Sequence, residues 1–228
     1  MIVRTSIVAV SLAICAVAHS QVLYSQLPVP GGEGGPFSES DGQQLADTMV
    51  PIANGVAELA RFWGSAISMG DPYNVGNQFQ FTLTTWDRDG SGNPNNILNQ
   101  ATLIATITAE TGPNGIGDMV YQYDTAYGGL GPALTSGGQY MYSVWESDPN
   151  TPVNQWRWHN GIGPGDYASH RFGGGGWAQE TGDRGDLGFE LRAVPEPASL
   201  LALSTGFVVI LKRRRRKAWT GKSPASLL

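Results

Sequence analysis

Between residues 42 and 193 the chain is cut into short apolar runs by clusters of Gly, Asn, Asp and Pro. Each cluster supplies residues that tolerate positive φ, fix φ or bond their own backbone, so each marks a turn. The runs between them are short for helices but long enough for strands. Strands are expected near residues 58–68, 78–86, 101–109, 118–123, 139–147, 153–159 and 186–193. In 78–86, Phe79, Phe81, Leu83 and Thr85 alternate onto one face. Residues 101–109 are rich in Thr and Ile, which suit strands. No fixed period is visible, which argues against a solenoid or propeller. Helix is scarce, with residues 42–53 the best candidate. The expected fold is all-β, an antiparallel sandwich or jelly roll. A loose leader rich in Gly, Pro and Ser is expected at residues 21–41.

A chain of 228 residues with seven Trp and only 14% charged residues can bury a core unaided. Its one cysteine, Cys15, falls in a segment read below as a cleaved export signal. The mature chain then has no thiol for a disulfide framework, a Cys nucleophile or a zinc-thiolate site. The formal charge of −5 hides an asymmetry. Residues 21–194 hold six Arg, no Lys and 18 acidic residues. Such a centre offers phosphates no broad positive surface, so no nucleic-acid partner is expected. The basic residues gather instead at Lys212, Arg213, Arg214, Arg215, Arg216 and Lys217.

Both termini read as targeting segments. Arg4 precedes an apolar stretch at residues 7–18, and Ala18 and Ser20 occupy −3 and −1 of a cut before Gln21. That is the pattern of a secretory signal peptide, residues 1–20, removed by a signal peptidase. His19 leaves with it. At the other end, Val194, Pro195, Glu196, Pro197, Ala198 and Ser199 lead into an apolar run and then the basic cluster. The prolines bar helix at first, yet Pro197 suits the first turn of a helix that follows. Basic residues after an apolar helix hold that end on the cytoplasmic side. The acidic domain is expected outside and a short tail, residues 218–228, inside. A transmembrane helix over residues 198–211 would be about 21 Å long, against roughly 30 Å of hydrocarbon. Snorkelling Arg and local thinning can absorb some of the mismatch.

Motif, apolar run and basic cluster follow one another in residues 194–217. In that order they resemble the PEP-CTERM sorting signal of bacterial exported proteins. Pro195, Glu196 and Pro197 match its motif, residues 198–211 its membrane segment, and Arg213 to Arg216 its basic stop. The apolar run is short, and residues 218–228 extend further past the basic cluster than is usual there. The resemblance implies recognition and cleavage by an exosortase. It also implies an inner-membrane-tethered intermediate, then a place at the cell surface or in the extracellular matrix. Trp63, Gly64 and Ser65, Phe79 to Phe81, Asp87 to Pro94, Trp156, Arg157 and Trp158, and Asp186 to Leu191 resemble an exported sandwich domain found ahead of such tails. That second resemblance implies a fold and a setting, residues 42–193, but no activity.

Candidate chemistry is sparse. Asp87, Asp89, Ser91 and Asn93 place oxygens at positions 1, 3, 5 and 7 of a loop with Gly92 at 6. A calcium loop begins this way, but position 12 is Leu98 and the flanks read as strands. A hairpin turn is the preferred reading and calcium the alternative. Trp86 and Trp145 fall out of phase with their apolar neighbours and precede acidic residues. A flat ring can stack on a sugar while carboxylates accept its hydroxyl hydrogens. The competing reading is that both strand faces are covered, and it is stronger for Trp156 and Trp158. His159 and His170 could serve as bases, yet neither lies in a nucleophile or zinc motif. Both read as turn or rim residues. Glycine stretches at 161–165 and 173–176 read as flexible loops. Arg184, Gly185 and Asp186 match a short adhesion tripeptide that arises easily by chance.

The expectation is therefore an exported, non-enzymatic envelope or matrix protein with no cofactor, whose domain binds or structures extracellular polymer, carbohydrate included. The alternative is a secreted polysaccharide hydrolase working through a pair of carboxylates.

Overall fold

The computed structural model describes residues 20–30, 34–37, 43–66, 73–115, 117–147, 156–162, 168–172, 175–179 and 186–194. The chain divides into two compact units, one of residues 22–193 and one of the two chain ends. The first holds the described fold. The export signal apart from Ser20, the sorting segment after Val194 and the tail lie outside the described residues, as does the expected transmembrane helix. Among the described residues no helix is long and apolar enough to cross a membrane.

The regular elements among the described residues are all strands: β1 (Gln21–Gln26), β2 (Gly34–Phe37), β3 (Gln43–Met49), β4 (Gly55–Val56), β5 (Leu59–Ala66), β6 (Gln78–Arg88) and β7 (Pro94–Pro113). There follow β8 (Met119–Ala126), β9 (Ala133–Leu134), β10 (Tyr140–Glu146), β11 (Trp156–His159), β12 (Ser169–Phe172), β13 (Ala178–Gln179) and β14 (Phe189–Ala193). One sheet runs β1-β14-β5-β8-β7-β6-β10-β3-β12-β13, with β11 on β5 beyond the end of β14 and β2 on β11. β4 and β9 form a separate pair. The pairings are antiparallel.

The 20-residue β7 turns this one sheet into two facing layers. Its first part, through Thr106, pairs with β6, and Thr106 to Pro113 pair with β8. The register slips between Ile107 and Ala109 and again between Glu110 and Gly112. Bulges bend a strand and tighten its twist, so the halves fold toward each other. Aromatic contacts show the closure. Phe62 of β5 meets Phe81 of β6 at 4.9 Å, and Tyr142 of β10 stacks on Phe189 of β14 at 4.7 Å. Trp156 packs edge-on to Phe81 at 5.0 Å. Its indole fills the place of a missing side chain at Gly64, where a Cβ would lie 2.4 Å from the ring.

The expected strands near 58–68, 78–86, 118–123, 139–147 and 186–193 are present, and 153–159 is seen as β11 from Trp156. Other expectations are corrected. The expected strand at 101–109 is the middle of the much longer β7, whose added ends are polar and carry bulges. The helix expected at 42–53 is instead β3, whose Leu45 and Met49 reach the core and whose Asp47 pairs with Tyr142 of β10. Pairing between strands overrides a weak local preference. The stretch read as a leader supplies β1 and β2. Leu23 of β1 is 0% exposed in the core. Gly161, read as part of a flexible loop, is a close backbone contact. Its N–H donates to the Asp186 carbonyl at 2.7 Å, and a Cβ there would meet the Leu187 carbonyl at 2.9 Å.

Candidate functional site

Trp86 and Trp145 do lie off the main core, as their phase requires, but the second face is covered too. They are 4% and 6% exposed. Trp86 packs with Ala46 and Met141 beneath Trp177. The Arg171 guanidinium sits 5.2 Å from the Trp86 ring centre and 4.7 Å from that of Trp177. Its Nε donates to Gln44 Oε1 at 2.7 Å. Burial pulls the Arg171 pKa below its usual value, and the two ring faces attract the cation. The expected stacking of a sugar on Trp86 or Trp145 is therefore corrected, because neither ring presents a face to solvent. Trp156 and Trp158 are core residues, and Trp158 Nε1 donates to the Gly188 carbonyl at 2.9 Å.

The Asp87 to Asn93 stretch is the β6–β7 hairpin. Asp89 Oδ1 accepts the N–H groups of Ser91 and Asn93, each at 2.8 Å, and Asp89 N–H donates to the Asn93 carbonyl at 2.9 Å. Asn93 Oδ1 accepts from Ser169 Oγ at 3.1 Å. Gln179 Nε2 donates to the Ser91 carbonyl at 2.8 Å, so β12 and β13 brace the turn. Asp87 accepts the Asn96 side-chain amide at 2.9 Å and the Asn96 backbone N–H. Those bonds, the side-chain one foremost, hold its carboxyl below the ordinary range. The geometry is that of a self-bonded turn, with the carboxylates engaged by the fold's own N–H groups.

His159 is buried in β11, with Nδ1 3.0 Å from the Asn160 carbonyl. His170 lies in β12 with its ring 5.6 Å from that of Phe172. Both belong to strands rather than turns. Asp186 of the adhesion-like tripeptide is buried, and Arg184 and Gly185 lie outside the described residues. The only described part of the 173–176 glycine stretch is Gly175 and Gly176. Among the described residues no group of three or more His, Cys, Asp or Glu gathers as a metal site.

Carboxylates do meet on the outer face of β14, β5 and β8, but around arginines. Arg61 grips Asp124 through two bonds of 2.7 and 3.0 Å and lies 3.9 Å from Glu190. Arg192 bonds Glu190 at 2.6 Å. The Asp124 hydrogen bond leads in raising the Arg61 pKa. This forked pairing suits a cross-strand tie.

A different feature went unread in the sequence. Outward residues of β6, β7 and β8 pair as hydroxyls and amides. Gln78 Nε2 donates to Thr106 Oγ1 at 3.3 Å, Thr82 and Thr102 hydroxyls lie 2.9 Å apart, and Gln122 Nε2 donates to Thr108 Oγ1 at 2.8 Å. Ile104 stands among them, 54% exposed. The row Gln78, Gln80, Gln100, Thr102 and Thr106 holds no ionisable group, and it ends at Thr108, whose hydroxyl donates to Asp124 Oδ2 at 2.9 Å. Each member can both donate and accept. The signal was available: in 78–84 these positions alternate with Phe79, Phe81 and Leu83.

The domain's two ends leave side by side. Ser25 Oγ of β1 donates to Glu190 Oε2 of β14 at 3.1 Å, and the Tyr24 and Phe189 rings are 4.8 Å apart. Leu23 and Ala193 both pack on Gly55, where a Cβ would come within 3.0 and 3.3 Å of them. Val194 then emerges, 48% exposed. Residues 193–217, which begin on this last strand residue, match the PEP-CTERM protein-sorting motif. No curated protein and no solved structure matches the chain.

Proposed function

We propose that this chain, which carries a PEP-CTERM sorting motif at residues 193–217, is an exported envelope or matrix protein. Its sandwich domain binds or structures extracellular polymer, carbohydrate included, without performing chemistry on it. The observation that carries this reading is the junction: the last strand of the antiparallel domain runs straight into the sorting motif, which makes the domain the cargo. A signal peptidase removes residues 1–20, and an exosortase-type enzyme acts on the tail after the C-terminal helix has tethered the domain outside the cytoplasm. The uncharged row on β6 and β7 supports polymer contact, since sugar hydroxyls pair with amides and hydroxyls and an apolar patch such as Ile104 suits a ring face.

The test is retention of the mature protein on immobilised polysaccharides, with release of sugar ends followed in parallel. Retention without new ends is expected, weakened by Thr102→Lys or Ile104→Lys and unchanged by chelation. New reducing ends, abolished by one carboxylate-to-amide change, would overturn the reading in favour of a hydrolase.

A further inference from the structure

The sorting motif begins where the fold ends, and the fold ends tightly. β14 lies between β1 and β5, so it is held from both sides. The backbone carbonyl of Arg192, one residue from its end, accepts the Glu58 N–H at 2.8 Å, and Ala193 is only 9% exposed. Only Val194 separates Ala193 from Pro195. Val194 to Pro197, fully extended, reach at most about 14 Å from the sheet. A peptidase binds its substrate as an extended segment, and one that grips more than this on the N-terminal side meets β1, β5 and the β4 segment that packs on Ala193.

We propose that docking of β14 in the sheet and engagement of the sorting motif by its processing enzyme compete, so that the motif is cut while the end of β14 is released. The proposal rests on the tail being a processed signal. Release of a strand end is a local opening of the native sheet, and for a strand paired on both sides, as β14 is, it costs more than the fraying of a free terminus. When only the released form binds, apparent affinity is the intrinsic affinity multiplied by the released fraction. The cut is peptide-bond hydrolysis: water adds its oxygen to the carbonyl carbon, and the amine leaves with a proton. The strand sets how often that bond is reachable. Leu23 near the start of β1 and Ala193 at the end of β14 both pack on Gly55, so the chain enters and leaves the domain at the same end of this strand pair.

The experiment follows the full chain by pulse–chase in a host that carries the processing system. Wild type is compared with a Gly/Ser insertion of about six residues between Val194 and Pro195, adding about 20 Å of reach. A second variant is Leu191→Ala, which removes a fully buried side chain from β14. The insertion lies beyond the sheet and leaves the fold intact. It should speed processing about fivefold or more, and Leu191→Ala should speed it in the same direction. If Leu191→Ala is degraded unfolded, the insertion alone decides. Equal or slower processing of the insertion variant overturns the competition. Failure of every chain to be processed, wild type included, overturns the sorting reading itself.

Discussion

Individual residues are held by contacts that name their own tests. Gly64 exists to admit the Trp156 indole, with ring atoms 2.4 to 2.5 Å from any added Cβ. Gly64→Ala should destabilise by about 1–3 kcal/mol through overpacking. Thermal unfolding reads this, as each kcal/mol shifts Tm by about 2–4 °C in a domain of this size. Asp47 is a buried carboxylate that accepts the Leu187 N–H at 2.6 Å, the Thr48 N–H at 2.7 Å and Gln26 Nε2 at 3.3 Å. It thereby ties β3 to β1 and to the segment entering β14. Asp47→Ala strands those donors, at about 1–3 kcal/mol for each buried one left unmade, and denaturant midpoints should fall accordingly. Asp87 offers a pH test. Its folded pKa is depressed by Asn96, so the stabilisation it gives is present above the ordinary carboxylate range and lost as pH falls through the lowered value. Asn96→Ala should move the Asp87 carboxyl titration back upward by carbon-13 NMR, and an unmoved titration would contradict that cause.

At the scale of elements, alternation was the reliable guide. Phe79, Phe81 and Leu83 do face the core, and Trp86 and Trp145 do point away from it, because strand geometry fixes sides locally. What covers the far side is not local. Arg171 and Trp177 arrive over Trp86 from β12 and the segment before β13, 85 and 91 residues further along the chain in a Gly-rich stretch with little pattern of its own. For that reason the candidate sugar platform could not be judged from the strand alone. β1 was missed for a related reason: a short run beside Gly and Pro carries little signal until β14 pairs with it. Leu23→Ala should cost about 2–5 kcal/mol if β1 is part of the domain, as its complete burial requires. A chain shortened to residue 42 should lose cooperative unfolding, whereas a dispensable leader would leave it unchanged. The hairpin of Asp87 to Asn93 was legible from composition, since turn formers bonding one another are what Asp, Gly and Asn do. Its melting temperature should not respond to millimolar calcium or chelator, and a rise with calcium would restore the ion-binding alternative by linkage.

For the whole molecule, the chain order carries the functional meaning. An acidic domain whose first and last strands lie together is flanked in sequence by an export pattern and a sorting motif. The tail was legible because proline, apolar and basic blocks act by composition and order, without tertiary partners. The domain's ligand was not, because uncharged hydroxyl and amide rows look ordinary in sequence and gain meaning only when strands set them side by side. The most direct measurement is the intact mass and cellular location of the mature chain, for wild type and for a variant with Arg213 to Arg216 all changed to Gln. The expected result is a wild-type product that begins at Gln21, lacks the end of the tail and is recovered from the cell surface or matrix, with the variant uncut and misplaced. A wild-type chain that keeps its whole tail, or a variant with unchanged mass and location, would contradict it.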